Sequence, residues 1–137
     1  MNLWFLDASV LLACEDADDD NHHAARRLLV GDDPLATLDL AFYEVINVAV
    51  RAWGDQDAAQ RLSARIVAVA EDGGLRRADA LLLGNAAAIA EQHGISVYDA
   101  AYVAAARDGG GQLVSCDLRD LVSRGLACLP AEVAAPG

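Results

Sequence analysis

SVYDAAYVAAARDGGGQLVSCDLRDL, residues 96–121, decides the fold. Its first half is Ala-rich with apolar residues on a helical period, three glycines at 109–111 cut it, and it resumes as a short apolar run closing on Asp117. Glycines after a periodic segment stop a helix, and an unbroken apolar run of this length marks a strand buried on both faces. The spacing predicts a helix over 98–108, a strand over 112–116 and a short helix over 118–123. Two carboxylates, Asp99 and Asp117, stand among packing residues in this stretch rather than in a solvated charged run.

The same juxtaposition recurs upstream. LWFLD (3–7) is an apolar strand ending in Asp7, and LAFYEVINVAV (40–50) sets Glu44 inside a helical apolar pattern. An ionised carboxylate beside a core is costly unless it is paired or binds metal. The chain has no Lys, and no Arg is adjacent to Asp7, Glu44, Asp99 or Asp117. A divalent cation is the simplest partner, which makes metal-dependent phosphodiester chemistry the leading expectation.

Between these stretches the pattern predicts strands at 3–6, 35–37, 112–116 and 126–129, with a minor one at 75–77. Helices are expected to begin at Ser9, to run from an Asn21 cap to Gly31, and to cover 39–53, 55–71 and 79–93, the last closed by Gly94. The 39–53 helix reads as largely buried. Strands separated by helices imply a parallel sheet covered on both faces, with ligands outside the carboxyl ends of its strands. Asp7 and Asp117 emerge at that edge, and Glu44 and Asp99 can join them from the first turns of helices leaving it.

Each acid also has a structural reading. Asp7 can cap the helix after it, and Asp117 can cap the turn at Leu118 with Asp120 in its first turn. Ser96 and Asp99 have capping-box spacing. Glu44 shares a polar stripe with Asn47 and Arg51. Capping alone, however, leaves the mutual repulsion of four acids at one edge uncompensated. Carboxylate oxygens suit Mg2+ or Mn2+, and two such ions can generate a hydroxide and stabilise a leaving oxygen.

The bulk composition sets limits. At 137 residues, 55% hydrophobic and 5% aromatic, the chain suits one helix-rich α/β domain. A net charge of −11 argues against tight non-specific nucleic-acid binding, which depends on phosphate neutralisation. Two divalent ions would bring −11 to −7, with the gain at the site. All ten basic residues are Arg, which favours bidentate phosphate contacts. No apolar run is long enough to span a bilayer and the N-terminus lacks leader character, so a cytoplasmic protein without a membrane partner is expected. Cys14, Cys116 and Cys128 read as buried reduced thiols. His22 and His23 beside Asp18–Asp20 invite a second metal site, but a solvated loop leading into a helix accounts for the same residues and is the preferred reading. Trp4 and Trp53 read as packing residues, and the glycines at 109–111 as a turn without the Lys of a phosphate loop.

At these residues the chain resembles the PIN-domain family, and within it the VapC toxins of toxin–antitoxin pairs. LDASVLL (6–12), YEVINV (43–48), SVYDAAYVAAA (96–106) and LVSCDLRDL (113–121) match the family's four motifs in order, and the likeness runs from residue 3 to about 130. The resemblance implies a single PIN domain over 1–137, an α/β three-layer fold with a parallel five-stranded sheet between helices. It also implies that Asp7, Glu44, Asp99 and Asp117 hold one or two Mg2+ or Mn2+ ions for endonucleolytic RNA cleavage. Ser115 would then be a catalytic hydroxyl position, with Ser9 and Asn47 in support. The implied partners are an RNA substrate of tRNA or rRNA type, a VapB-type antitoxin that neutralises the toxin, and a second copy in a homodimer. Arg51, Arg76, Arg77, Arg107 and Arg119 are candidates for RNA contact. The rival readings are a non-catalytic acidic interaction module and a metal-dependent DNA nuclease or phosphatase on the same acids.

Overall fold

Three residues, Trp4–Leu6, are enough to form a strand (β1) because both of its faces are sealed: Phe5 and Leu6 point to opposite sides of the sheet and both are fully buried. The computed structural model describes residues 2–134, so the ends of the expected 1–137 domain, residue 1 and residues 135–137, lie outside it. After β1 come α1 (Ala8–Glu15), α2 (His22–Val30), β2 (Leu35–Leu38) and α3 (Leu40–Asn47), which runs on as a π-helical turn over Val48–Ala52. Next follow α4 (Gln56–Glu71), β3 (Leu75–Arg76), α5 (Ala80–His93), α6 (Val97–Asp108) and β4 (Gln112–Val114). A second π-helical turn, Leu118–Val122, and α7 (Pro130–Ala134) complete the described chain.

The sheet has the order β3-β2-β1-β4 and is parallel throughout. Trp4 pairs with Leu35 on one side and Gln112 on the other. The chain thus leaves β1 toward β2 and later returns to its opposite flank as β4. Such a reversal opens a crevice at the carboxyl ends of the two strands, the usual ligand position in an open α/β sheet. Helix α6 packs along β1, β2 and β4 with α5 against it, while α1 and α4 pack with α2 and α3. One core cluster joins residues from Phe5 to Ala127.

Two expectations need correction. The fifth strand, expected at 126–129, is reduced among the described residues to a single parallel bridge between Val114 and Cys128. Its hydrogen bonds are Ser115 N–H to Cys128 O at 2.9 Å and Cys128 N–H to Leu113 O at 3.0 Å. A longer ladder has no room: Gly125 turns the chain at φ +73°, and Pro130, which has no N–H to donate, already begins α7. The sheet is therefore four-stranded. The helix expected to be largely buried over 39–53 instead has two apolar stripes. Ala41, Val45 and Ala49 face the core, whereas Tyr43, Ile46 and Val50 are exposed at 77%, 37% and 43%.

Close backbone approach fixes the turn into β3. A Cβ on Gly74 would lie 2.1 Å from Leu35 O, and Gly74 O accepts the Thr37 N–H at 2.8 Å. Thr37, fully buried, donates its hydroxyl to Leu6 O at 2.7 Å. That bond anchors the last residue of β1 immediately before Asp7.

Candidate functional site

Asp7 follows β1 and caps α1, as its sequence position suggested. Its Oδ1 accepts the Val10 N–H at 3.3 Å and the Ser9 hydroxyl at 2.5 Å, while its own N–H donates to Val114 O at 3.3 Å. Only 5% of Asp7 is exposed. Burial pushes its carboxyl up to about 6; the hydroxyls of Ser115 and Ser9 and the Val10 amide oppose this, and the Asp99 charge adds to it.

Ser9 joins β1 to β4. Its Oγ accepts the Cys116 N–H at 2.9 Å and lies 3.4 Å from Ser115 Oγ. Ser115, fully buried, accepts the Asp117 N–H on its own Oγ at 3.0 Å. These contacts end β4 at Val114, two residues short of the expected Cys116, because the next two amides are committed to Cys128 O and Ser9 Oγ. Ser9 and Ser115 thus form one hydroxyl network that ties Asp7 to Asp117.

Asp117 begins the π-helical turn and its Oδ1 accepts the Asp120 N–H at 3.0 Å. The wider i→i+5 turn is built by Val122 N–H to Asp117 O at 3.0 Å and Ser123 N–H to Leu118 O at 2.8 Å. The same winding brings Asp120 back toward Asp117. Asp99 meets them from the first turn of α6, where Ser96 caps the helix by accepting the Asp99 N–H at 3.0 Å. Carboxylate oxygens of Asp99, Asp117 and Asp120 lie within 4.8 Å of one another, and all three side chains are half-buried. Burial first, then the Asp117 charge, raises the Asp99 carboxyl; the Ser96 hydroxyl opposes this and Asp120 adds to it. The nearest guanidinium groups to Asp120 are Arg119 Nε at 3.9 Å and Arg124 at 4.0 Å, beyond hydrogen-bond reach.

Glu44, half-buried on α3, accepts the Tyr102 hydroxyl on Oε1 at 2.7 Å. Its carboxyl is raised by burial, lowered by Tyr102 and raised by the Asp99 charge. The Asp99 charge thus acts on Asp7 and Glu44, while the charges of Asp117 and Asp120 act on Asp99, so Asp99 is the acid the others share.

The four acids anticipated from sequence come together at one edge, and so do Ser9 and Ser115. Asn47 is exposed and lines, together with Glu44, a groove of about 630 Å3 that also takes in Tyr43, Val50, Arg51 and Tyr98. Of the arginines, Arg51 lines that groove, Arg76 is paired with Asp108, and Arg77, Arg107 and Arg119 are exposed. The sequence places Asp120 only in the first turn after Asp117 and gives Tyr102 no role. For Asp120 the available signal was its three-residue spacing from Asp117; for Tyr102 it was one hydroxyl in a run of Ala and Val. The His22–His23 alternative falls to the plainer reading, since His22 Nδ1 bonds Ala13 O at 2.8 Å and the only carboxylate cluster of metal-binding geometry among the described residues is at the edge of β1 and β4.

An all-oxygen set of carboxylates fits a hard divalent cation rather than a soft one. The repulsion that raises Asp99 is the kind of strain that such a cation relieves. Asp99, Asp117 and Asp120 could hold it, with Asp7 and Glu44 adjoining.

The comparisons bear on this edge. A family model described as PIN domain matches residues 4–123. Ribonuclease VapC3 of Pyrobaculum aerophilum is 34% identical over 125 aligned residues, covering 82% of this chain and 87% of the relative. Among solved structures, the chain is similar to VapC20 of Mycobacterium tuberculosis, a toxin that cleaves the sarcin–ricin loop, at 25% identity and a TM-score of 0.66 over 82% of this chain and 86% of that one. A protein from Pyrobaculum aerophilum gives a TM-score of 0.69 at 23% identity, covering 97% and 87% of the two chains. A toxin–antitoxin complex from Klebsiella pneumoniae gives 0.67 at 15% identity, covering 95% and 98%. The last two speak to the fold alone.

Proposed function

The chain belongs to the PIN-domain family, and on that premise we propose that it is a VapC-type toxin, a single PIN domain acting in the cytoplasm as an Mg2+- or Mn2+-dependent endoribonuclease. The observation that carries the reading is the meeting of Asp99, Asp117 and Asp120 within 4.8 Å, with Asp7 and Glu44 coupled to Asp99. A mere set of helix caps does not explain it. Ser96 caps α6 by accepting the Asp99 N–H, while the Asp99 carboxylate meets the Ser96 hydroxyl and also faces Asp117 and Asp120.

In this reading Asp7, Glu44, Asp99 and Asp117 are the ligands, and Asp120 is a further carboxylate at the same ion. A bound divalent ion would supply a water of lowered pKa and positive charge for the leaving oxygen. The chain's own groups do the rest. Ser9 and Ser115 hold Asp7 and the start of the 117–122 turn in register, so two acids from strands that are neighbours in space but distant in sequence keep a fixed separation. Asp7, with its carboxyl pushed up to about 6 in the metal-free protein, would have to give up its proton to hold a cation, so binding would strengthen as pH rises through that value.

A VapB-type antitoxin is the expected partner, and a basic segment is the natural complement to a chain of net charge −11. A homodimer has an apolar face available in Tyr43, Ile46 and Val50 of α3 and its π turn, with Tyr98 across the groove. The assignment is tested by incubating the purified protein with Mn2+ and RNA or DNA of one sequence. Cleavage of the RNA and not the DNA is expected; equal cleavage of both would favour a general nuclease, and cleavage of neither would leave the acidic interaction module.

A further inference from the structure

Tyr102 is the largest fully buried side chain among the described residues, 2% exposed, on a helix whose other buried residues are Ala and Val. Packing does not require its hydroxyl, since a phenyl ring would fill the same volume. Yet the hydroxyl donates to Glu44 Oε1 at 2.7 Å. The bond therefore joins two elements that carry acids: helix α6 bears Asp99 three residues before Tyr102, on the same face, and α3 bears Glu44.

Glu44 needs such a tether. A glutamate has three side-chain torsions to restrain, at a cost in rotamer freedom. The exposed stripe of Tyr43, Ile46 and Val50 leaves it beside open solvent, whereas Asp7 is gripped by the Ser9 hydroxyl and a backbone amide. The Tyr102 hydroxyl is the hydrogen-bond donor to Glu44 among the described residues. It engages Oε1 and leaves Oε2 for another ligand. A hydrogen bond from a buried hydroxyl to a carboxylate is charge-assisted and of the strong kind, suited to fixing a rotamer.

We propose that Tyr102 is a positioning residue that fixes the Glu44 carboxylate in the arrangement that presents it, with the neighbouring acids, to a divalent cation. This rests on the metal site proposed above. The test uses the full chain. In Tyr102→Phe, NMR of the metal-free protein should find the Glu44 side chain newly mobile, and calorimetric titration should find Mn2+ affinity lower by about 10-fold. In a Glu44→Ala background, adding Tyr102→Phe should change Mn2+ affinity by less than about 2-fold, because the residue through which Tyr102 acts is gone. Glu44 remaining as ordered in Tyr102→Phe as in the parent, or an equal loss of affinity in the Glu44→Ala background, would overturn the proposal. A second measurement does not depend on that variant folding: the Tyr102 hydroxyl proton should be protected from exchange in the parent and unprotected in Glu44→Ala, and equal protection in both would also overturn it. If the parent binds no Mn2+, the metal-site reading fails, while the order of Glu44 and the protection of Tyr102 still decide the tether.

Discussion

Asp7 and Asp99 carry the same carboxylate at the same edge of the sheet, in opposite settings. Asp7 is buried and held by the Ser9 hydroxyl and the Val10 amide; Asp99 is half-buried and faces two more carboxylates within 4.8 Å. Desolvation dominates the first, and like charge adds to desolvation in the second. The buried corner is thus a rigid post and the open corner a charge concentration seeking a counter-ion. A cation site needs both, since ligands that repel one another splay apart unless something covalent or hydrogen-bonded fixes their bases. Here the Ser9–Ser115 network does so for Asp7 and Asp117.

The comparison is broken most sharply at Asp7. Its carboxyl lies at about 6 in the fold against 3.8 unperturbed, so the native state binds the proton more tightly than the unfolded chain. Stability from this group is complete below pH 3.8 and is lost as pH rises through 6. Asp7→Asn, which retains an oxygen for the Val10 amide, should therefore stabilise the metal-free protein at pH 8 by up to roughly 3 kcal/mol, and by almost nothing at pH 4. Thermal melts at the two pH values read this directly; a variant destabilised at both would show that Asp7 serves chiefly as a cap.

Next in size is the response of the open corner to its missing charge. Mn2+ at 100 times its Kd should stabilise the parent by about 2.7 kcal/mol, and Asp117→Asn should remove most of that gain. An unchanged Mn2+-induced shift in the melting temperature of Asp117→Asn would place the ion elsewhere. Ser115→Ala attacks the link between the corners. It strands the Asp117 amide and removes a hydroxyl from Asp7, so a loss of about 1–2 kcal/mol in the metal-free melt is expected. The smallest effect separates cap from ligand in α6: Ser96→Ala should cost about 1 kcal/mol, whereas Asp99→Ala should be neutral or slightly stabilising without metal. Equal losses would restore the capping role of Asp99.

Much of this was legible in the sequence. Strand-then-acid at 3–7 and 112–117 announced the edge, because a parallel sheet exposes only the carboxyl ends of its strands to a ligand. The pairing of β1 with both β2 and β4 was not legible, since short apolar strands carry no register of their own. The fifth strand looked sound as the run 126–129, yet Gly125 and Pro130 on either side hold it to one bridge. Asp120 was hidden because a π-helical turn, not an α-helical one, carries it, and Tyr102 because its hydroxyl matters only once α3 is folded against α6. The second stripe of α3 misled for a different reason: apolar spacing reports a face to be covered, not whether the covering surface belongs to the same chain.

Cleavage of a structured RNA by the parent and by Asp99→Asn, in Mn2+ and in excess chelator, tests the central claim most directly. The parent should cut in Mn2+ and stop in chelator, and Asp99→Asn, folded by its melt, should lose at least about 100-fold in rate. Undiminished cleavage in chelator, or by Asp99→Asn, would contradict a carboxylate-held ion as the source of the activity.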